Sequence, residues 1–546
     1  MSRNVLNISN RKQVFIDGLF LEKSFGVKLD VHQPIKTGQI AIQSDKPWEK
    51  SSDDSPWATR LAAYNSVIFD EKEQLYKMWY VPLLTRPDGT LGGMIAYAAS
   101  NDGISWEKPA LGLDDGRFGE KTNIVIGAGA AGEDYINDCH CMVFPDQNAP
   151  EAERYKMLTR PGEPHPELCI FSSSDGIRWK RTIEKVITYK KELDKDGNTI
   201  TSDIDSNGRM TNIRDFHLDS QNVIFWDDHL EKYVAYVRKN KQLSTGQYRT
   251  VARAESNDLQ SFPTVEEMED VLEPDVWDSP ARDQPNHRDL AGSDIYTNAT
   301  IKYDADRAYY MFPSIYYKYG SFMKGYAEET PMNAGGVDIG FAASRDGVNW
   351  LRYERRPFIN LGFRGEDDSA SIYMVHGVVP GTEGKLYLYS CDSDNLHGAN
   401  RGDRYNDKEN LLVEREAFLP EKNVFVIKRH EIRKDGFISA HGDYTGGEFI
   451  TPLLTFQGDV LELNADTSAT GMIRVEIQDR YGMAITGYSL SDCHLIHTAN
   501  QIRRIVQWNG ESRLSRLSGQ VVRLRFSLRN ADLYSFKFSS VATRMK

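Results

Sequence analysis

Cysteine is scarce in this chain and badly placed for cross-links. There are five in 546 residues: Cys139, Cys141, Cys169, Cys391 and Cys493. An odd, scattered set makes no disulfide framework. The one cluster, Cys139-His140-Cys141, has no second Cys/His group to complete a zinc site, so neither a metal nor a cofactor is expected. No stretch approaches the ~18 apolar residues of a membrane-spanning helix. The opening residues, MSRNVLNISNRKQVFIDGLF, lack the apolar core of a secretion signal. That beginning fits a cytoplasmic protein, or a secreted or periplasmic one whose leader has been removed. Runs of Lys or Arg are also missing, and the formal net charge is −13. Such a field repels polyanions, so neither nucleic acid nor a membrane is an expected partner, although a local basic pocket for an anionic sugar is compatible with it. What the chain has is aromatic: 27 Tyr and 9 Trp, in a length too great for one ordinary core.

The aromatic residues sit in repeats. Ser-x-Asp-Gly-x-x-Trp occurs at Ser100–Trp106, Ser173–Trp179 and Ser344–Trp350. Before each lies a small-residue strand (MIAYAAS, LCIFSSS, DIGFAAS). Earlier comes a second strand (LYKMWYV, RYKMLTR, AYYMFPS), and earlier again an apolar run closing on Asp (NSVIFD, HCMVFPD, NATIKYD). Each unit therefore predicts a four-stranded antiparallel meander. Two decayed units, Asn222–Phe262 and Ser371–Ser393, bring the total to five. A lone meander cannot bury its face, whereas several packed radially can, which predicts an all-β chain led by a five-bladed β-propeller. On this reading the Asp-Gly dipeptide is a tight turn and the Trp a plug between blades.

Long polar, Gly- and Asp-rich segments interrupt the units at 190–213, 263–292, 318–336 and 394–411. Loops of that size in a repeat fold form binding rims. From about Ile438 the sequence alternates with period two and the Asp-Gly-Trp motif stops, which predicts a C-terminal β-sandwich of jelly-roll type. The expected boundaries are 1–435 for the propeller, N-terminal strand included, and 436–546 for the sandwich.

In such a fold the innermost strands line a funnel, and polar residues at their leading ends face it. Asp138, Asp219 and Asp294 come from consecutive units, each just before an inner strand. Carboxylates crowded in one pit shift each other's pKa, which supplies an acid and a base from one residue type, the pair that glycosidic cleavage requires. The bland alternative is that they cap turns. Asn65, His140, Gln221, Asn222, Tyr296, Asn298 and Asp368 occupy similar leading positions as substrate-binding candidates. The three Asn fall in one repeat column, which fits a structural ring as well as ligand contact. Arg160 and Arg238 end second strands, Glu255 lies on a third strand and His287 in a long loop; all four are lower-ranking candidates.

The order RKQVFIDGLFLE, SNDGISWEKPALGL, QNVIFWDDHLEKYVAYVR, SRDGVNWLRYERRPFINLG and GGEFITPLLTFQGDVLELNADTSATGMIRVEI resembles that of the five-bladed glycoside hydrolases, the invertase/levanase and arabinanase/xylosidase relatives. It is closest to a bacterial group described only as similar to the invertase-family N-terminal domain. The resemblance spans nearly the whole chain and implies fold and broad class. The Trp-x-Asn-Asp-Pro, Arg-Asp-Pro and Glu-Cys motifs of the invertase family are absent as such, so no residue inherits a catalytic role from it. The turn motif also resembles the sialidase Asp-box, but lacks the residue between Asp and Gly and does not imply a sialidase.

Three functions compete. The first is a glycoside hydrolase acting on a poly- or oligosaccharide, with Asp219 and Asp294 as the acid/base pair and Asp138 orienting the sugar or tuning them. The second is a phosphorylase of the same fold, with Arg160, Arg238 and His140 around phosphate. The third is a non-catalytic glycan-binding protein. Oligomeric state is not legible.

Overall fold

A computed structural model describes residues 5–50, 60–85, 91–113, 118–127, 140–160, 167–189, 218, 220–243, 246–278, 292–318, 335–397, 422 and 424–540. It is all-β: among these residues helical elements are single 3-10 turns, such as Glu151–Glu153. Three repeats fold as the sequence predicts, into four-stranded antiparallel sheets with strands in chain order. The first runs Ser66–Asp70, Leu75–Tyr80, Ile95–Ser100 and Ile124–Ile126. The second runs Met142–Pro145, Tyr155–Thr159, Leu168–Ser173 and Lys180–Ile187. The third runs Val223–Asp227, Lys232–Leu243, Gly246–Ser256 and Glu269–Leu272.

The fourth repeat departs from the expected plain meander and splits into two tiers of three strands. One holds Ser293–Thr297, Ser314–Lys318 and Gly335–Ile339 and continues into the fifth repeat, where Val337 pairs in parallel with Ser371; the other holds Ile301–Lys302, Tyr309–Met311 and Ala342–Ser344. The break falls at Pro313, which has no N–H for the ladder; its carbonyl accepts instead from Gly340 N–H at 2.8 Å. The fifth repeat contributes Ser371–Met374, Lys385–Ser393 and Phe425–Arg433, and its outer strand comes from the far end of the chain, Ile35–Gln43.

The three Asp-Gly turns share one hydrogen-bond pattern. In the second, Ser173 Oγ donates to Asp175 Oδ1 at 3.0 Å and accepts from Gly176 N–H at 2.9 Å, while Asp175 Oδ1 also accepts from the N–H groups of Ile177 and Arg178 at 2.8 Å. Gly176 has φ +78°, a left-handed conformation that side chains disfavour. The glycine carbonyl then serves the neighbouring repeat: Gly176 O accepts from Trp79 Nε1, Gly347 O from Tyr236, and Gly103 O from Tyr389. The Asp that closes the inner strand in each of the first three repeats is held in the same way. Tyr155 donates to Asp70, Tyr233 to Asp146, and Tyr309 to Asp227. The fifth repeat meets the first, where Tyr76 Oη donates to Pro380 O at 2.8 Å and His376 pairs with Ser66.

C-terminal to Arg433 two sheets face each other. One is ordered Asn500–Ile505, Val460–Asp466, Ala531–Ser539, Ile438–Gly442, Val27–Val31; the other Lys23–Phe25, Gly447–Ile450, Arg523–Arg529, Met472–Gln478, Ile496–His497. Leu461, Leu463, Phe536 and Phe538 from the first and Val475, Ile477, Leu524 and Phe526 from the second share one buried apolar cluster. That cluster continues into the fourth and fifth repeats through Tyr310, Phe312, Phe341, Ile372 and Leu388 around Phe437. The N-terminal segment therefore does not belong with the repeats as a block. Leu6–Ser9, Gln13–Val14, Lys23–Phe25 and Val27–Val31 pair with C-terminal strands, and only Ile35–Gln43 completes the fifth repeat. Apolar residues such as Val14, Phe15, Ile16 and Phe20 fill the C-terminal core, which a repeat edge would have left exposed.

Candidate functional site

The inner strands begin close together. Ser220 N–H donates to His140 Nε2 at 2.6 Å, and Ser220 Oγ donates to Tyr296 O. Gln221 Nε2 donates to Asn65 O at 3.0 Å, Asn298 Nδ2 to Gln221 O at 3.4 Å, and His376 N–H to Asn65 O at 2.9 Å. Residues from all five repeats thus meet across a few hydrogen bonds. Here the column of Asn residues serves the backbone. Asn65 donates to Ala62 O and accepts from Val81 N–H; Asn222 donates to Leu218 O and accepts from Arg238 N–H; Asn298 donates to Tyr236 O and accepts from Thr300. Buried main-chain groups at strand ends need such partners.

Beside this ring lies an aromatic, polar cluster. The phenols of Tyr64 and Tyr296 hydrogen-bond to each other, and His140 packs against Tyr64 with ring centroids 5.1 Å apart. Tyr296 also meets Tyr316 at 6.1 Å, Tyr373 at 5.9 Å and His397 at 4.6 Å, and Tyr373 Oη lies 2.8 Å from His397 Nδ1. Arg249 lies over the Tyr296 ring, 4.7 Å from its centroid. Asp294 is 1% exposed. Its Oδ1 accepts from Arg249 N–H at 2.9 Å and its Oδ2 faces Arg249 Nη1 at 3.5 Å. One carboxylate, one guanidinium, two imidazoles and four phenols therefore lie in one largely buried cluster, where polar interactions are stronger than in solvent.

Asp138 and Asp219 lie outside the described residues, as does His287. Their described chain neighbours, His140 and Ser220, are the residues that touch each other and Tyr296. Arg238 donates its Nε to Asn240, and Arg160 is buried at the end of its strand. Glu255 is at the turn end of its repeat, paired with Lys232 at 3.0 Å and Arg253 at 2.8 Å. Asp368 is buried against Lys36 at 2.5 Å and Lys428 at 3.4 Å, and these two cations, together with the Lys36 hydrogen bond, hold its carboxyl below the usual range against the effect of burial. Among the described residues no three His, Cys, Asp or Glu side chains gather as a metal would require.

Sequence reasoning missed Tyr64, Arg249 and Tyr316, and ranked His397 low as a residue of the fifth unit's loop. Tyr64 sits one residue before the Asn column and Tyr316 shortly after a second strand, so both were within reach of a repeat alignment. Arg249 follows a hairpin whose length differs in every repeat.

No family model matches the chain, and no curated protein does. Solved structures similar to it include an N-acetylgalactosamine deacetylase from F. plautii in complex with blood group B trisaccharide, at 14% identity and TM-score 0.41, over 75% of this chain and 96% of that one. The catalytic domain of the Coprinopsis cinerea α-L-arabinofuranosidase gives 11% identity and TM-score 0.36 over 74% and 97%. A fructofuranosidase from Schwanniomyces occidentalis, complexed with fructosylnystose, gives 9% and 0.37 over 96% and 98%. At such identities no residue role passes from them to this chain.

Proposed function

We propose that the chain is a glycoside hydrolase, built as a five-bladed β-propeller (within 1–435) and a C-terminal β-sandwich (436–546), that cleaves a poly- or oligosaccharide at the pocket around Asp294. Three features support the architecture: the repeated turns, the Tyr–Asp ties that join the first four repeats in series together with the contact of the fifth with the first, and the two C-terminal sheets about one core. One observation carries the function. The hydrogen-bonded chain His140–Ser220–Tyr296 joins the leading ends of three inner strands, and Asp294 is two residues from the last. On this reading Asp138, two residues before His140, and Asp219, adjacent to Ser220, share the pocket with it. Asp294 accepts the Arg249 N–H on one oxygen and faces the Arg249 guanidinium with the other, which suits the carboxylate that attacks or activates water. Asp219 then protonates the leaving oxygen, and Asp138 orients the sugar.

The test is a panel of aryl glycosides and of plant, algal and bacterial glycans, assayed with and without phosphate. Hydrolysis without phosphate is expected, and Asp219→Asn and Asp294→Asn should each lower kcat about 10²–10⁴-fold, the usual worth of acid–base catalysis. Full activity in both variants overturns the assignment. Turnover only with phosphate makes the protein a phosphorylase, and binding without turnover makes it a glycan-binding protein. A shared fold does not choose among these.

A further inference from the structure

Tyr316 stands directly opposite Asp294 in the register between Ser293–Thr297 and Ser314–Lys318. Its side chain is 0% exposed, its ring lies 4.9 Å from His397 and 6.1 Å from Tyr296, and the Arg249 guanidinium is 5.8 Å from its centroid. Val337 packs opposite it from the next strand, and its other close neighbours are polar or aromatic. Its hydroxyl nevertheless has no hydrogen-bond partner among the described residues. A buried phenol without a partner carries the desolvation cost of its O–H, and one opposite the Asp294 carboxylate and near the Arg249 guanidinium points to an incoming group. Tyr310 is the contrast. Its hydroxyl is also unpartnered, but it lies in the apolar cluster of Tyr303, Phe341 and Phe437, remote from Asp294.

We propose that Tyr316 is a substrate-binding residue, its hydroxyl hydrogen-bonding a hydroxyl of the same sugar ring on which Asp294 acts. This rests on the hydrolase reading above and adds a specificity determinant to it. A site built to hydrogen-bond a substrate hydroxyl rejects the analogue lacking it far more strongly than an apolar pocket rejects a change of size. The chain should therefore discriminate between a sugar and its deoxy analogue at the position Tyr316 meets.

The probe is whichever 4-nitrophenyl glycoside the unmodified chain turns over fastest. Tyr316→Phe is expected to lower kcat/KM about 10–100-fold, as befits one hydrogen bond made with substrate. Its melting temperature should be unchanged or raised, since an unpaired hydroxyl is removed. Tyr310→Phe should leave kcat/KM unchanged. The preference for the glycoside over one of its mono-deoxy forms should shrink in Tyr316→Phe at a single ring position. Full activity in Tyr316→Phe alongside a dead Asp294→Asn overturns this inference and leaves the hydrolase reading standing; full activity in both overturns the reading itself. If no glycoside is turned over, crystals of the full chain soaked in xylose, arabinose or glycerol read the same contact. A sugar or polyol oxygen at hydrogen-bond distance from Tyr316 Oη supports the proposal. A hydroxyl satisfied by protein atoms alone overturns it.

Discussion

Individual buried groups make the protein's stability depend on pH in two opposed ways. Burial pushes the Asp392 carboxyl up to about 8 and that of Asp338 to about 7, from an unfolded value of 3.8. Burial also pushes His376 down to about 4 and His430 to about 3, from 6.5. Asp392 and His430 meet through one hydroxyl: Ser390 Oγ lies 2.5 Å from Asp392 Oδ1 and 2.7 Å from His430 Nε2. Above pH 6.5 both histidines are neutral in either state, but folded Asp392 keeps a proton that the unfolded chain has released. Stability should then fall as pH rises from 6.5 to about 8, by at most about 1.4 kcal/mol per pH unit for one proton. Below 6.5 the unfolded histidines take up protons that the folded ones refuse, so their contribution falls as pH drops toward 4, against the aspartates. Urea midpoints across this range check the sign. Asp392→Asn should flatten the decline above pH 6.5, and an unchanged slope would show that another group is responsible.

At the scale of elements, the turn motif and a column of tyrosines hold the repeats together. A methyl on Gly176 would sit 2.6 Å from Trp79 Cζ2, in a left-handed turn. Gly176→Ala therefore combines a backbone penalty of about 1–2 kcal/mol with overpacking of about 1–3, and should lower stability by roughly 2–5 kcal/mol in urea titration. Tyr233→Phe removes the tie to Asp146 and leaves a buried carboxylate short of a donor, an expected loss of about 1–3 kcal/mol by the same measurement. The motif was legible in sequence because its chemistry is local: Ser, Asp and Gly bond within four residues. The tyrosines at 76, 155, 233, 309 and 387 stand at one repeat position and were equally visible, but their partners lie in the neighbouring repeat in four of the five cases, so spacing alone gave them no function. The split of the fourth repeat at Pro313 was also readable, had proline been weighed against the strand pattern.

Across the whole molecule, Asp435 ties together segments remote in sequence. It is 4% exposed, pairs with Lys12 at 2.8 Å, accepts from Tyr303 at 2.6 Å and Ser535 at 2.7 Å, and its carboxyl is held low by Lys12 in spite of burial. Removing one member of a buried pair costs about 3–5 kcal/mol. Asp435→Ala should lose that much, while Lys12→Met combined with it should lose less than the sum of the two single changes. Because one apolar cluster runs from the C-terminal sheets into the fourth and fifth repeats, fluorescence from Trp508 and the circular dichroism of the whole chain should report coincident urea transitions. Removing residues 1–43 should prevent folding, since they supply strands to both parts.

The sequence by itself determined the all-β class, the repeat frame and the turn geometry, because strand periodicity and Asp-Gly turns are properties of a few adjacent residues. It also placed Asp294 at the head of an inner strand. Only the tertiary structure decided that Arg249 and Tyr316 flank that carboxylate, and that the described residues up to Val31 serve mainly the C-terminal sheets. Those pairings join residues tens to hundreds of positions apart. They are selected by how much apolar surface each arrangement buries and which polar groups it satisfies, quantities that exist only once the sheets have packed.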